Sequence, residues 1–76
     1  MSERTGYLIR LCAIGLTPIS SELSAIADAE RLRYDQLSEA DQLSDEGRTI
    51  ADNAATLEAV AATLSDSAAA LQEVIA

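Results

Sequence analysis

Apolar residues in the C-terminal part of the chain recur in sevens. Ile50, Leu57, Leu64 and Leu71 occupy one heptad row, and Ala54, Ala61, Ala68 and Ile75 another. The rows interleave at alternating steps of four and three, which predicts a helix over 46–75 whose seam lies along a second helix. A row of large residues beside a row of alanines lets the partner helix come close. Upstream, Ile19, Leu23, Ile26, Ala27, Tyr34 and Leu37 share one side of a predicted amphipathic helix over 18–37. Glu30 falls on or next to that seam and reads as a carboxylate reaching past its neighbours to solvent or to an arginine.

Residues 6–16 are the most apolar stretch. Leu8, Leu11, Cys12 and Gly15 share one helical face, while Ile9, Ile14 and Leu16 fall partly elsewhere. A helix apolar on more than one side is expected to be covered on more than one side. Thr17-Pro18 is an N-cap followed by a favoured first helical residue, so the first arm is expected to break, or to kink, at 16–18. A seam drawn through Leu8, Cys12, Gly15, Ile19, Leu23 and Ile26 has two successive steps of four at Ile19, consistent with a local disturbance.

Periodicity fades over 38–45, an elbow. Ser44 offers an N-cap with Asp45 and Glu46 in the turn that follows. Gly47 stands where a capping-box Glu would be. An arm over 6–37 and an arm over 46–75 are matched in length, so a chain folding back at the elbow pairs Leu57 with Ile26, Leu64 with Ile19 and Leu71 with Cys12. The predicted fold is all-α: one domain, 1–76, forming an antiparallel, coiled-coil-like helical hairpin. Two helices bury one stripe each, which is rarely enough in water. Ile9, Leu11, Ile14, Val60 and Val74 lie beside the main stripes and are the candidate oligomer interface of a homodimeric four-helix bundle.

Composition narrows the chemistry. The chain has no histidine and one cysteine, which excludes an internal disulfide, Cys-His zinc sites and imidazole bases within one chain. Cys12 lies in an apolar run with no histidine to activate it and reads as an inert thiol. No residue is a candidate for catalysis, cofactor binding or metal binding. Thirteen acids against five arginines give a net charge of −8. That sign disfavours direct binding of nucleic acid or of an anionic membrane. The run 6–16 is about half the length that crosses a bilayer, Arg10 interrupts it, and no cleavage-site pattern follows, so a cytoplasmic location is expected.

At the elbow, Tyr34-Asp35-Gln36-Leu37-Ser38-Glu39-Ala40, then Gln42 and Ser44-Asp45-Glu46-Gly47, resemble the turn of a group of small acidic helical-hairpin proteins from phage and prophage genomes. Their turn commonly reads Tyr-Asp-Asn-Leu-Pro-Glu-Ser and then Ser-Glu-Arg-Gly. Here Ser38 stands in place of the usual Pro. The group has no assigned activity, and the resemblance implies a phage-type accessory protein acting in the host cytoplasm.

Three functional readings follow. The first is a non-catalytic interaction protein that binds a host or phage protein through its apolar flank or acidic elbow, inhibiting a defence or regulatory system, with nucleic-acid mimicry as a variant. Its candidate partner-binding residues are Glu39, Asp41, Asp45 and Glu46. The second is an oligomeric binder of an anionic nucleotide, using Arg31, Arg33, Tyr34 and Arg48 near the elbow. The third is a structural or assembly accessory.

Overall fold

The computed structural model describes residues 2–75; Met1 and Ala76 lie outside the described residues. The chain forms a long helix α1 (Glu3–Asp35), a single turn α2 (Glu39–Gln42) and a second long helix α3 (Asp45–Ile75), with no strand among the described residues. Ser2 caps α1, its Oγ accepting from the Thr5 amide at 3.2 Å, with Glu3 in the first turn where the helix dipole favours a carboxylate. The first arm therefore starts three residues earlier than its apolar run and stops at Asp35 rather than 37. All-α character is present as expected.

The two long helices pack side by side and run in opposite directions. Residues at the start of α1, Gly6 and Tyr7, share a groove with Val74 and Ile75 at the end of α3, and Arg31 meets Glu58 further along. The molecule is a rod with Cα extents of 58 × 14 × 13 Å.

What holds the rod is a line of small residues. On α3 the buried residues are Gly47, Ile50, Ala54, Ala61 and Ala68. On α1 they are Ala13, Ser20 and Ala27, again seven apart. Ser20 fixes the level: its Oγ, inside the seam, donates to the Ala61 carbonyl oxygen at 2.8 Å. A hydroxyl one atom beyond Cβ reaches the facing backbone only where the two backbones come close, and any larger side chain at 20 or 61 would hold them apart. Stepping by heptads in opposite directions from Ser20 and Ala61 sets Ala27 level with Ala54 and Ala13 with Ala68. Leu16, Leu23, Leu57, Leu64 and Leu71 are half-buried and flank this line. Among the described residues Ile50, near the elbow, is the large side chain that comes closest to full burial, at 4% exposure.

The α3 seam is the one its heptads predict. The α1 seam is not. The expected stripe through Leu8, Cys12, Gly15, Ile19 and Ile26 is exposed, apart from Leu23. The real stripe is Ile9, Ala13, Leu16, Ser20, Leu23, Ala27 and half-buried Glu30, an unbroken alternation of three and four. Phasing by the largest apolar residues picks the wrong side, because close helix packing selects the small ones.

The expected break at 16–18 is likewise corrected. α1 is continuous through Thr17-Pro18. In the true heptad phase Pro18 points away from α3, so the backbone bond it cannot make is lost on the outer side rather than in the seam. Thr17 Oγ1 donates to the Ala13 carbonyl at 3.3 Å across the same turn.

The elbow is more ordered than its lack of periodicity implies. Ser38 caps α2 through the Asp41 amide, and Gln42 Nε2 donates to the Tyr34 carbonyl at 3.1 Å, tying α2 to the end of α1. Ser44 caps α3 as expected, accepting from the Gly47 amide at 3.2 Å, while its own hydroxyl donates to the Asp41 carbonyl. Gly47 is buried against α2: a Cβ there would meet the Gln42 carbonyl oxygen at 2.7 Å and the Asp41 carbonyl oxygen more closely still. That explains the incomplete capping box, since no side chain fits.

Two expectations test this packing. Gly47→Ala improves helix propensity by about 1 kcal/mol, yet the backbone clash is expected to outweigh it and to lower stability by about 1–3 kcal/mol net in urea unfolding. In a Cys12→Ala background, Ser20→Cys with Ala61→Cys is expected to cross-link within one chain on oxidation. Ile19→Cys with Leu64→Cys is expected to do so poorly, because Ile19 faces outward.

Candidate functional site

The sequence places candidate residues in three regions, and the fold treats them differently. Glu39 and Asp41 on α2 and Asp45 and Glu46 at the start of α3 all lie exposed at the elbow end of the rod. Each sits in the first turn of its helix, where backbone amides point outward and carry partial positive charge. That local fit accounts for their positions. Glu46 also lies 3.7 Å from Arg33.

The arginines expected to hold an anion do not converge. Arg31 grips Glu58 with two hydrogen bonds, Nε to Oε1 at 2.8 Å and Nη2 to Oε2 at 3.2 Å. Arg33 lies across the seam from Arg31 and meets Glu30 and Glu46, each at 3.7 Å. Tyr34 is half-buried in the same heptad row as Ser20 and Ala27. Arg48 is exposed one residue beyond Gly47. Guanidinium groups engaged by carboxylates on opposite flanks do not form a cradle.

The Arg31–Glu58 pair lies at the surface, each side chain about half exposed, and is geometrically well formed. The hydrogen bond from Arg31, with its charge, holds the Glu58 carboxyl below its ordinary value; the same bond and charge raise Arg31. Glu58 thus binds its proton less readily folded than unfolded. Its contribution is present above the ordinary carboxylate range and is lost as pH falls through the depressed folded value.

The interface candidates divide. Leu11, Ile14, Val60 and Val74 are exposed, between 42% and 57%. Ile9 is half-buried in the row with Leu16 and Leu23 and belongs to the seam with α3. Residues the sequence reading assigned to the intramolecular seam, Leu8, Ile19 and Ile26, join the exposed set, as do Tyr7 and the free thiol of Cys12. Most of this surface is the outer side of α1. An 18-residue window of α1 has mean hydropathy 1.2 with only 6% of it buried, so the helix is long and apolar enough to cross a membrane by length and composition. The short run 6–16 understates that length because Ile19, Leu23 and Ile26 carry apolar side chains past Pro18.

The grooves beside the seam are open to solvent. Among the described residues no group of three or more cysteine or carboxylate side chains is placed to hold a metal ion. No family model matches the chain, and no curated protein or solved structure matches it.

One measurement isolates the exposed ion pair. The stability difference between wild type and Glu58→Gln is expected to be small, to persist at neutral pH and to vanish on acidification below the folded Glu58 value. A difference unchanged by acid would show that the substitution acts through packing instead.

Proposed function

We propose that this chain is a non-catalytic, self-assembling interaction protein: a helical hairpin that pairs with a second copy and presents its acidic elbow to a protein partner. The observation that carries the reading is the exposed apolar flank. Leu8, Leu11, Ile14 and Ile19 of α1 lie on one continuous helix surface beside Val60 and Val74 of α3, and each keeps about half of its surface in contact with solvent. A monomer rarely leaves so large a contiguous apolar surface in water without a use for it.

Energetics support the same reading. Apart from Ile50, the buried residues of the intramolecular seam are alanine, serine and glycine, so most of the buried side chains remove little apolar area from water. A small domain with such a core gains most from a partner subunit. A second copy covering the flank makes a four-helix bundle wherever the two rods overlap. The elbow, with its outward carboxylates, stays free to meet a basic protein surface. This agrees with the phage-type accessory role that the elbow resemblance implies.

Light scattering is expected to give the mass of two chains. Leu11→Asp is expected to give one chain that retains its helical circular dichroism, because Leu11 points away from α3. A wild-type mass of one chain at micromolar concentration would overturn the reading.

A further inference from the structure

The outer side of α1 is patterned. Leu8, Cys12, Gly15 and Ile19 are spaced four, three and four apart, a second coiled-coil stripe on the helix that already gives Ile9, Ala13, Leu16 and Ser20 to α3. All four residues of this second stripe are exposed. Apart from its chain neighbours and the backbone of its own helix turn, nothing in the chain comes within 4 Å of where a Gly15 Cβ would be. A glycine in the middle of an exposed helix costs about 1 kcal/mol relative to alanine, and no turn or internal contact here requires it.

The stripe also reads the same in both directions: large, small, small, large. Set against its own copy running the opposite way, Leu8 meets Ile19, and Cys12 meets Gly15, twice over. Small residues then lie level at the centre, where two backbones come closest. Large ones lie level at the edges, the same arrangement that joins α1 to α3.

Charge selects the direction. The end of the rod away from the elbow, residues 2–21 and 60–75, carries Glu3, Asp66 and Glu73 against Arg4 and Arg10, whereas residues 22–59 carry ten acids against three arginines. A parallel pair would lay the two acidic ends side by side. An antiparallel pair centred between Cys12 and Gly15 overlaps the near-neutral ends and carries the acidic ends apart, well beyond the Debye length at physiological salt. The apolar residues of the flank, about half exposed, offer on the order of 1,000 Å² over two copies, which is the lower threshold for a specific interface.

From this we infer that the partner on the outer face of α1 is a second copy bound antiparallel through the Leu8–Cys12–Gly15–Ile19 stripe, giving a staggered dimer with an acidic elbow at each end. The inference rests on the self-assembly proposed above and adds its register and direction. Only about 22 residues of each α1 overlap, so the particle is roughly 80 Å long at the standard rise per residue, against 58 Å for one rod.

The test uses the whole chain in a Cys12→Ala background. Leu8→Cys chains mixed with Ile19→Cys chains are expected to form a disulfide-linked pair, while either alone does not, because like positions lie roughly 16 Å apart along the axis. Cross-linking by each variant alone would overturn the direction. Gly15→Leu is expected to raise the melting temperature or helicity of the dilute monomer while weakening dimerisation about tenfold or more, since the side chain fills the closest approach. A Gly15→Leu dimer as tight as wild type would overturn the register, as would a two-chain particle about 58 Å long by solution scattering. In those cases the dimer itself survives. A one-chain mass in solution together with flotation on phosphatidylcholine vesicles would assign the face to a bilayer and overturn both readings.

Discussion

The rod depends on how near two helix backbones can come. Ser20 donating to the Ala61 carbonyl at 2.8 Å marks that distance, and the positions seven residues away on either side have to respect it. Ala13, Ala27, Ala54 and Ala68 are buried because a larger side chain there would separate the helices and break the contact at every other level. Large residues are pushed to the margins of the seam, which is why Leu16, Leu23, Leu57 and Leu64 are only half covered. Burying a polar serine in this line carries no penalty, since its hydroxyl is satisfied by a carbonyl that has a spare lone pair.

A seam of small side chains gains dispersion contacts between backbones but removes little apolar surface from water. The same choice that brings the helices together leaves bulky residues outside. On α1 that outside is apolar almost all the way round between Tyr7 and Ile19, interrupted by Arg10 and Thr17 on the flank opposite Cys12 and Ile19. Core and surface are therefore linked: close packing and an exposed apolar helix are two results of one distribution of residue sizes.

Much of this was legible in the sequence, in a way that shows what periodicity measures. The α3 heptads were unambiguous because only one phase of that helix is apolar, and the elbow, its capping serine and the all-α class followed from ordinary signals. The phase of α1 is ambiguous because the helix has two valid stripes, and hydrophobicity favours Leu8, Cys12 and Ile19 over Ala13, Ser20 and Ala27, the residues that α3 buries. Pro18 resembles a break in the sequence because its effect depends on the side of the helix it faces, and that side is set by the seam. The paired arginines were legible as arginines near acids. Their splitting between the two flanks was not, since it follows from the corrected phase of α1: Arg31 reaches Glu58 on one side and Arg33 reaches Glu46 on the other.

Two glycines within long helices show the same physics with opposite signs. Gly47 has no side chain because α2 occupies the space, so the cost of a flexible residue is recovered in the contact that closes the elbow. Gly15 has equal freedom and no occupant: the space beside it is empty. A helix gains by replacing such a residue with alanine unless something outside the chain uses the gap. The positions on either side, Cys12 and Ile19, are apolar and in coiled-coil spacing with it, so the gap lies on a stripe rather than at random. The acidic residues gather at the far end of the same helix pair, where they would not oppose a second copy arriving from the other direction. Size, spacing and charge along α1 thus point to one outer surface, and none of the three is explained by the contacts α1 makes with α3.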